Sequence, residues 1–380
     1  YSVYIYVVNY VNMSNQFLTR LDQLRDRIRS TDIDGMLVTV EKNVSYLTGF
    51  SGDSTWLILT EETELLLSDF RYITQLEEEC PDVELFIRTS KIQLTEALSG
   101  EVQERGIKRL GFESHAMTFG VYQSLQESLP DVEFVPVSWQ VEELRAIKDA
   151  GEIEEIREAV RLAEKGFAFL QAILTPQATE QQLAYELEHA VRNFGGEELS
   201  FHPIIAVGDR SAMPHYRPGK LKIAESPILL VDWGAQTHLG YKSDLTRTML
   251  TRSFSEEAKF ETIYKTVLEA QRLAIEMIAP GVSCQTVDAV ARDYINDAGF
   301  GEYFDHGLGH GIGLDIHELP RFSQSSDAPL EAGMVVTVEP GIYLGGWGGV
   351  RIEDDILVTD TGCEVLSSVP KDWESVRISV

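Results

Sequence analysis

"GMVVTVEPGIYLGGWGGVRIEDDILVT", Gly333–Thr359, reads as two β-rich arms folded about a glycine-rich turn, with an acid set inside each apolar arm. Glu339 and Glu353 each stand seven residues from Gly346, so a symmetric hairpin places them opposite one another. The stretch "PILLVDWGAQTHLGYKSDLTRTML", Pro227–Leu250, repeats the device. Asp232 and Asp244 each lie six residues from His238, and pairing symmetric about His238 sets them opposite as well. Opposed residues of an antiparallel pair have Cβ atoms ~4.5–5.5 Å apart, and like charges there are destabilising. "LLVD" and "VTVE" read as buried runs, and an ionised carboxylate buried without a partner costs several kcal/mol. No lysine or arginine lies in the strand leading to Asp232, and Arg351 alone flanks Glu353. A cation has to come from elsewhere.

The segment "DHGLGHGIGLDIHELP", Asp305–Pro320, supplies the complement, with three of the chain's eight histidines (His306, His310, His317) among four glycines. Four carboxylates and one or two imidazoles form an oxygen-rich set with a borderline nitrogen donor, which suits divalent metals rather than soft ones. Four negative charges balance two such ions, and bridging carboxylates fit a dinuclear centre with metals ~3.5–4 Å apart and an activated water between them. The glycines permit close backbone approach. A phosphate-cradling loop fails on spacing, since GxxxxGK[ST] and GxGxxG are both absent, and it has no use for imidazoles. HExxH and GxSxG are absent too.

Composition narrows the classes further. At 380 residues the chain exceeds the ~250–300 residues that one core usually serves, so two domains are expected. No apolar run reaches the ~20 residues of a membrane span. The 61 acidic against 32 basic residues give a net charge of -29, a surface that serves solubility and repels nucleic acid and anionic lipid. Neither is an expected partner. Cys80, Cys284 and Cys363 are far apart and lack CxxC spacing, which implies no disulfide framework or thiolate zinc site and fits a reducing cytoplasm. "YSVYIYVVNYVN" is apolar but short, without a basic leader or small-residue cleavage site. It is set aside from the fold, with Met13 as the expected natural start.

Outward from the acidic hairpins, the chain divides by pattern. Phe17, Leu18, Leu21, Leu24 and Ile28 are spaced as one face of a helix. Six short β-rich runs follow ("GMLVTV", "TWLILT", "ELLLSD", "VELFIR", "RLGFES", "VEFVPV"), separated by stretches such as "YITQLEEE" and "TFGVYQSLQESL", which predicts an α/β first domain. From about Gln140 the pattern turns strongly helical, with an interruption near Gly151. The boundary falls there, giving domains over residues 13–141 and 142–380. The second is expected to be α+β, with long helices backing antiparallel strand pairs.

These motifs carry a family resemblance. "DHGLGHGIGLDIHELP", "VVTVEPGIY", "GGVRIEDD", "LVDWGA" and "YKSDLTRT" resemble the dinuclear metallopeptidases of the pita-bread fold, in the Xaa-Pro branch of aminopeptidase P and prolidase. "YLTGFSGDSTWLILT" and "LLLSDFRYITQLEEEC" resemble, more weakly, the creatinase-like N-terminal domain of that branch. The resemblance implies Asp232, Asp244, His310, Glu339 and Glu353 as ligands of two divalent ions, manganese foremost, with cobalt, zinc or iron able to take the same places. It implies Glu339 as the proton-transferring group, His215 of "MPHYRPG" and His317 as donors to the carbonyl oxygen, and His306, Arg321 and Arg351 as substrate-side residues. Arg321 matches a prolidase residue for the substrate carboxylate. Arg351 also reads as a partner of buried acids. The implied substrates are proline-containing peptides cleaved at Xaa-Pro, in a homodimer or higher homo-oligomer whose N-terminal domains cap the pocket. Two other readings stand beside it: a hydrolase or lyase of the same fold acting on a non-peptide substrate, and a non-catalytic binding protein. The second would show decay of the ligand set, and all five positions are intact. Trp347, inside "GGWGG", receives no role from the sequence.

Overall fold

Runs such as Leu57–Ile58–Leu59 and Leu65–Leu66–Leu67 leave no polar face for water, and they form the middle of a sheet buried on both sides. The computed structural model describes residues 5–6, 15–378 and 380, and these divide into two units, the first ending at Arg145 and the second running from Ala146. Met13 lies outside the described residues. In the first unit seven strands lie in the order Ile5–Tyr6, Glu84–Arg88, Glu64–Asp69, Trp56–Thr60, Gly35–Val38, Arg109–Glu113, Glu133–Val137. The central strands pair antiparallel and the flanking crossovers are parallel. Leu37, Ile58 and Leu67 of the sheet pack with Leu98 of helix Leu94–Glu104 and Leu125 of helix Phe119–Ser128. The expected α/β domain is present, with two helices the periodicity did not disclose, Glu41–Thr48 and Leu94–Glu104.

The second unit is built on the two acidic hairpins, each backed by a helix pair. Strand Ile228–Trp233 pairs with Leu245–Leu250 on one side and Ile204–Val207 on the other. Its alternate residues Leu229, Val231 and Trp233 face helices Ala150–Ile173 and Glu180–Asn193. Trp233 stacks on Phe167 at 4.2 Å and donates to the Ala163 carbonyl. Helix Ala150–Ile173 is capped by Asp149, which forms a reciprocal capping box with Glu152, and the preceding helix ends at Ala146.

The second hairpin runs through Val335–Val338, Gly341–Leu344, Gly348–Arg351 and Asp354–Val358. Val336, Val338, Ile352 and Ile356 bury against helices Glu257–Met277 and Cys284–Asp297. Trp347 packs on this core, with the Lys259 ammonium 4.3 Å over its ring, so the tryptophan closes the turn end of the hairpin. Since residues facing the helices alternate with those facing away, Glu339, Arg351, Glu353 and Asp355 share the other face. The hairpins join where Glu353 N donates to the Thr246 carbonyl at 3.1 Å. This is the expected α+β arrangement.

Candidate metal centre

Register decides which acids meet. In the second hairpin Gly341 opposes Arg351 and Val338 opposes Asp354, a pairing symmetric about Gly346 that brings Glu339 level with Glu353, as expected. The first hairpin corrects its expectation: Asp232 opposes Thr246, not Asp244. The axis falls at Leu239 because Thr237 and Tyr241 bracket a three-residue loop whose last member, Gly240, is left-handed at φ 88. Asp244 is therefore diagonal to Asp232. Thr246 lies between Asp232 on one neighbour and Glu353 on the other, so one row of side chains runs across both hairpins.

On that row the carboxylates face a cavity of about 460 Å³, lined by all five expected ligands and by His215, His306, His317, Arg321 and Arg351. Single atoms of Asp244, His310 and Glu353 lie within 4.8 Å of one another. Asp232 and Glu339 stand outside this trio on the same lining: Asp232 turns to Arg351, and Glu339 lies 3.3 Å from His310 Nε2. His310 Nδ1 sits 3.0 Å from the Gly311 carbonyl, which can only accept, so Nδ1 donates there and Nε2 is the ring nitrogen turned to the acids. Gly309 opens this approach, since a Cβ there would lie 2.0 Å from the Thr337 carbonyl oxygen.

Electrostatically the site is unfinished. Asp232, Asp244 and Glu353 are buried, and one oxygen of each has no hydrogen-bond partner among the described residues. Burial, then repulsion from Glu353, Asp232 and Glu339, pushes the Asp244 carboxyl well above its ordinary range. Burial, with Glu339 and Asp232, does the same to Glu353. Burial also raises Asp232, against the pull of Arg351. Glu339 goes the other way: burial works against it, but its hydrogen bond and charge interaction with His310 hold it below the usual value. Orphaned, mutually repelling oxygens around an imidazole nitrogen are what hard divalent cations satisfy, and the residues present fit such ions.

The remaining residues sort by what holds them. Arg351 is buried and engaged on Asp232, on the Tyr343 hydroxyl at 2.9 Å and on Thr246 Oγ1 at 3.1 Å, so its guanidinium is committed to the protein. His306 donates from Nδ1 to the Gly307 carbonyl and accepts at Nε2 from Tyr343, so both ring nitrogens are occupied. Burial, then His310 and Arg321, lowers His317 to about 4, which leaves it neutral at pH 7 and 4.4 Å from the His310 ring. His215 and Arg321 are exposed on the lining. Tyr343, Thr246, Asp355, His202, Tyr216 and Arg217 escaped the sequence reading. Thr246 donates to Glu353 Oε2 at 2.6 Å, and buried Asp355 accepts from Asp244 N at 3.0 Å. Only "GIY" beside Glu339 and "HYR" around His215 offered a local signal for any of them.

Residues 154–360 match the metallopeptidase family M24, and residues 20–147 match the creatinase/prolidase N-terminal domain. An uncharacterized peptidase of Bacillus subtilis is 40% identical over 353 residues, covering 93% of this chain and 99% of the relative. A solved Xaa-Pro dipeptidase from Bacillus anthracis superposes with a TM-score of 0.89 at 38% identity, covering 94% of this chain and 99% of that one. An X-Pro aminopeptidase from Thermotoga maritima gives 0.83 at 33% identity, covering 93% and 100%.

Proposed function

The chain belongs to metallopeptidase family M24 and carries a creatinase/prolidase N-terminal domain, and from that premise we propose that it hydrolyses the Xaa-Pro bond of dipeptides or of peptide N-termini. The observation that carries this reading is the set of buried carboxylate oxygens without partners among the described residues, on acids that line one cavity together with His310. Asp232, Asp244, His310, Glu339 and Glu353 would hold two divalent ions, manganese foremost because the donors are mostly oxygen. Such ions, when bound, supply Lewis acidity and a water that ionises near neutral pH. A cytoplasmic homodimer or higher homo-oligomer belongs to the same reading, supported by the three free cysteines and by the family resemblance.

The chain's own groups divide the remaining work. Glu339, held ionised by His310, takes the proton from the attacking water and returns it to the departing proline nitrogen. That return matters for a prolyl bond, whose tertiary amide nitrogen carries no proton of its own. His317, neutral across the physiological range, and His215 donate to the carbonyl oxygen as it gains charge, a role worth ~3–4 kcal/mol per donor in comparable sites. Arg321 receives the substrate carboxylate. The test is hydrolysis of Ala-Pro and Ala-Pro-Ala against Ala-Ala by chelator-stripped protein reloaded with manganese. Cleavage confined to the prolyl peptides and dependent on metal is expected; equal cleavage of Ala-Ala, or none of the three cut, would sink the proposal.

A further inference from the structure

In a chain with nearly twice as many acids as bases, a guanidinium finds a carboxylate easily. Every arginine among the described residues has a hydrogen bond or ion pair except two, Arg217 and Arg321. Both line the one cavity that holds the candidate metal ligands. They arrive from different elements. Arg321 lies on strand Glu318–Phe322 directly across from His310. Arg217 follows His215 on a loop whose anchor is Glu180, fully buried, which accepts from the Tyr216 hydroxyl at 2.8 Å, from Gly219 N at 2.9 Å and from Val207 N at 2.8 Å. With Tyr216 tied down between them, His215 and Arg217 are presented together. The sequence around them is also purged of acids: from Leu199 to Ala224 the only one is Asp209, against Arg210, Arg217, Lys220 and Lys222.

An unpaired guanidinium kept clear of internal acids, on the wall of a binding cavity, is a receptor for an anion that comes with the ligand. We propose that Arg217 is a specificity-determining residue, a second guanidinium that with Arg321 receives the free C-terminal carboxylate of the substrate and biases the site toward peptides that end at the proline. The proposal rests on the Xaa-Pro reading above. It adds a residue from the loop side of the cavity, so the carboxylate is held from two walls.

Metal-loaded protein is assayed with Ala-Pro and with its C-terminal amide, in wild type, Arg217→Gln, Arg217→Lys and Arg321→Gln. Wild type is expected to favour the free acid, and Arg217→Gln to shrink the acid-to-amide ratio of kcat/KM about tenfold, through KM for the acid, as removal of one charge-assisted contact does. Arg217→Lys recovers part of the ratio. A measurement without turnover runs beside it: calorimetric binding of proline against prolinamide, with the preference for proline reduced in Arg217→Gln. Because Arg217 bonds to nothing among the described residues, its removal leaves folding intact, which the melting temperature checks. An acid-to-amide ratio and proline affinity within twofold of wild type in Arg217→Gln overturn the proposal. Failure of the Xaa-Pro reading looks different: neither peptide is cut, while proline binding still depends on Arg217.

Discussion

The two acidic hairpins exchange cations. Arg351 of the second is spent on Asp232 of the first, and Arg247 of the first is spent on Asp354 of the second, where it also meets the Glu353 carbonyl. The two exchanges differ in what surrounds them. Asp354 points toward the helices and is met by Arg247 at 2.7 Å, by Lys371, by Gln271 at 3.0 Å and by Ser367 at 2.5 Å, so although burial works against its charge, Arg247 and Lys371 hold it well below the usual carboxylate range. Its neighbour Glu353 points into the cavity with one orphaned oxygen and a raised pKa. Adjacent residues on one strand therefore carry opposite electrostatic states. The helix side is completed by the chain's own cations, and the cavity side is left for cations from outside.

Substituting the neighbours separately gives the largest contrast. Glu353→Gln is expected to lower peptidase activity by about three orders of magnitude, the loss of one ligand from a metal site worth several kcal/mol. In chelator-treated protein the same change raises the melting temperature, because a buried repelling acid is gone. Asp354→Asn does the reverse: it strands Arg247 and Lys371 and costs about 3–5 kcal/mol with or without metal. Scanning calorimetry with and without chelator reads both. A Glu353→Gln protein that melts lower than wild type in the absence of metal would break the distinction between the two faces.

The exchanged arginines give the next effect. Arg351→Met and Arg247→Met each leave a buried acid without its guanidinium, at about 3–5 kcal/mol in chelator-treated protein. The two part company when manganese is added. Asp232 lines the cavity, so ions bound there offset much of the loss at Arg351, while Asp354 faces the helices and the Arg247 variant gains no more than wild type does. Equal responses to manganese would mean that both acids, or neither, see the ions.

Much of this was open to the sequence. The six β-rich runs of the first domain and the long helices of the second follow from local period, and period is written residue by residue. The register of the second hairpin followed from its glycine turn. The first did not, because equal spacing about His238 ignores the left-handed Gly240, which moves the axis by one residue and each pairing by two. Arg351 was placed beside Glu353 by sequence adjacency, yet its partner Asp232 is 119 residues away, and nothing local encodes that choice. Arg217 was invisible for a related reason: its distinction is the absence of a partner among the described residues, which only the folded chain reveals.

The smallest effect tests the hairpin turns themselves. Among the described residues, Gly346 has φ 76 with no heavy atom within 4 Å of where a Cβ would stand, and Gly240 has φ 88 with only Leu314 nearby at 3.5 Å. Alanine at either position therefore meets no steric block and suffers only the left-handed penalty, about 1–2 kcal/mol for a residue with a Cβ. If each turn merely reports a register already set by its strands, Gly346→Ala and Gly240→Ala lower stability by that amount and leave activity per folded molecule unchanged. If Gly240 is what displaces the axis of the first hairpin, Gly240→Ala relaxes the three-residue loop, and the Asp232–Thr246 pairing that aligns Asp232 with Arg351 loosens with it. Activity per folded molecule then falls in the Gly240 variant and not in the Gly346 variant. We expect the second outcome, because the strands of the first hairpin are buried on both faces, so a slip carries no apolar face into water and the turn is left to set the register.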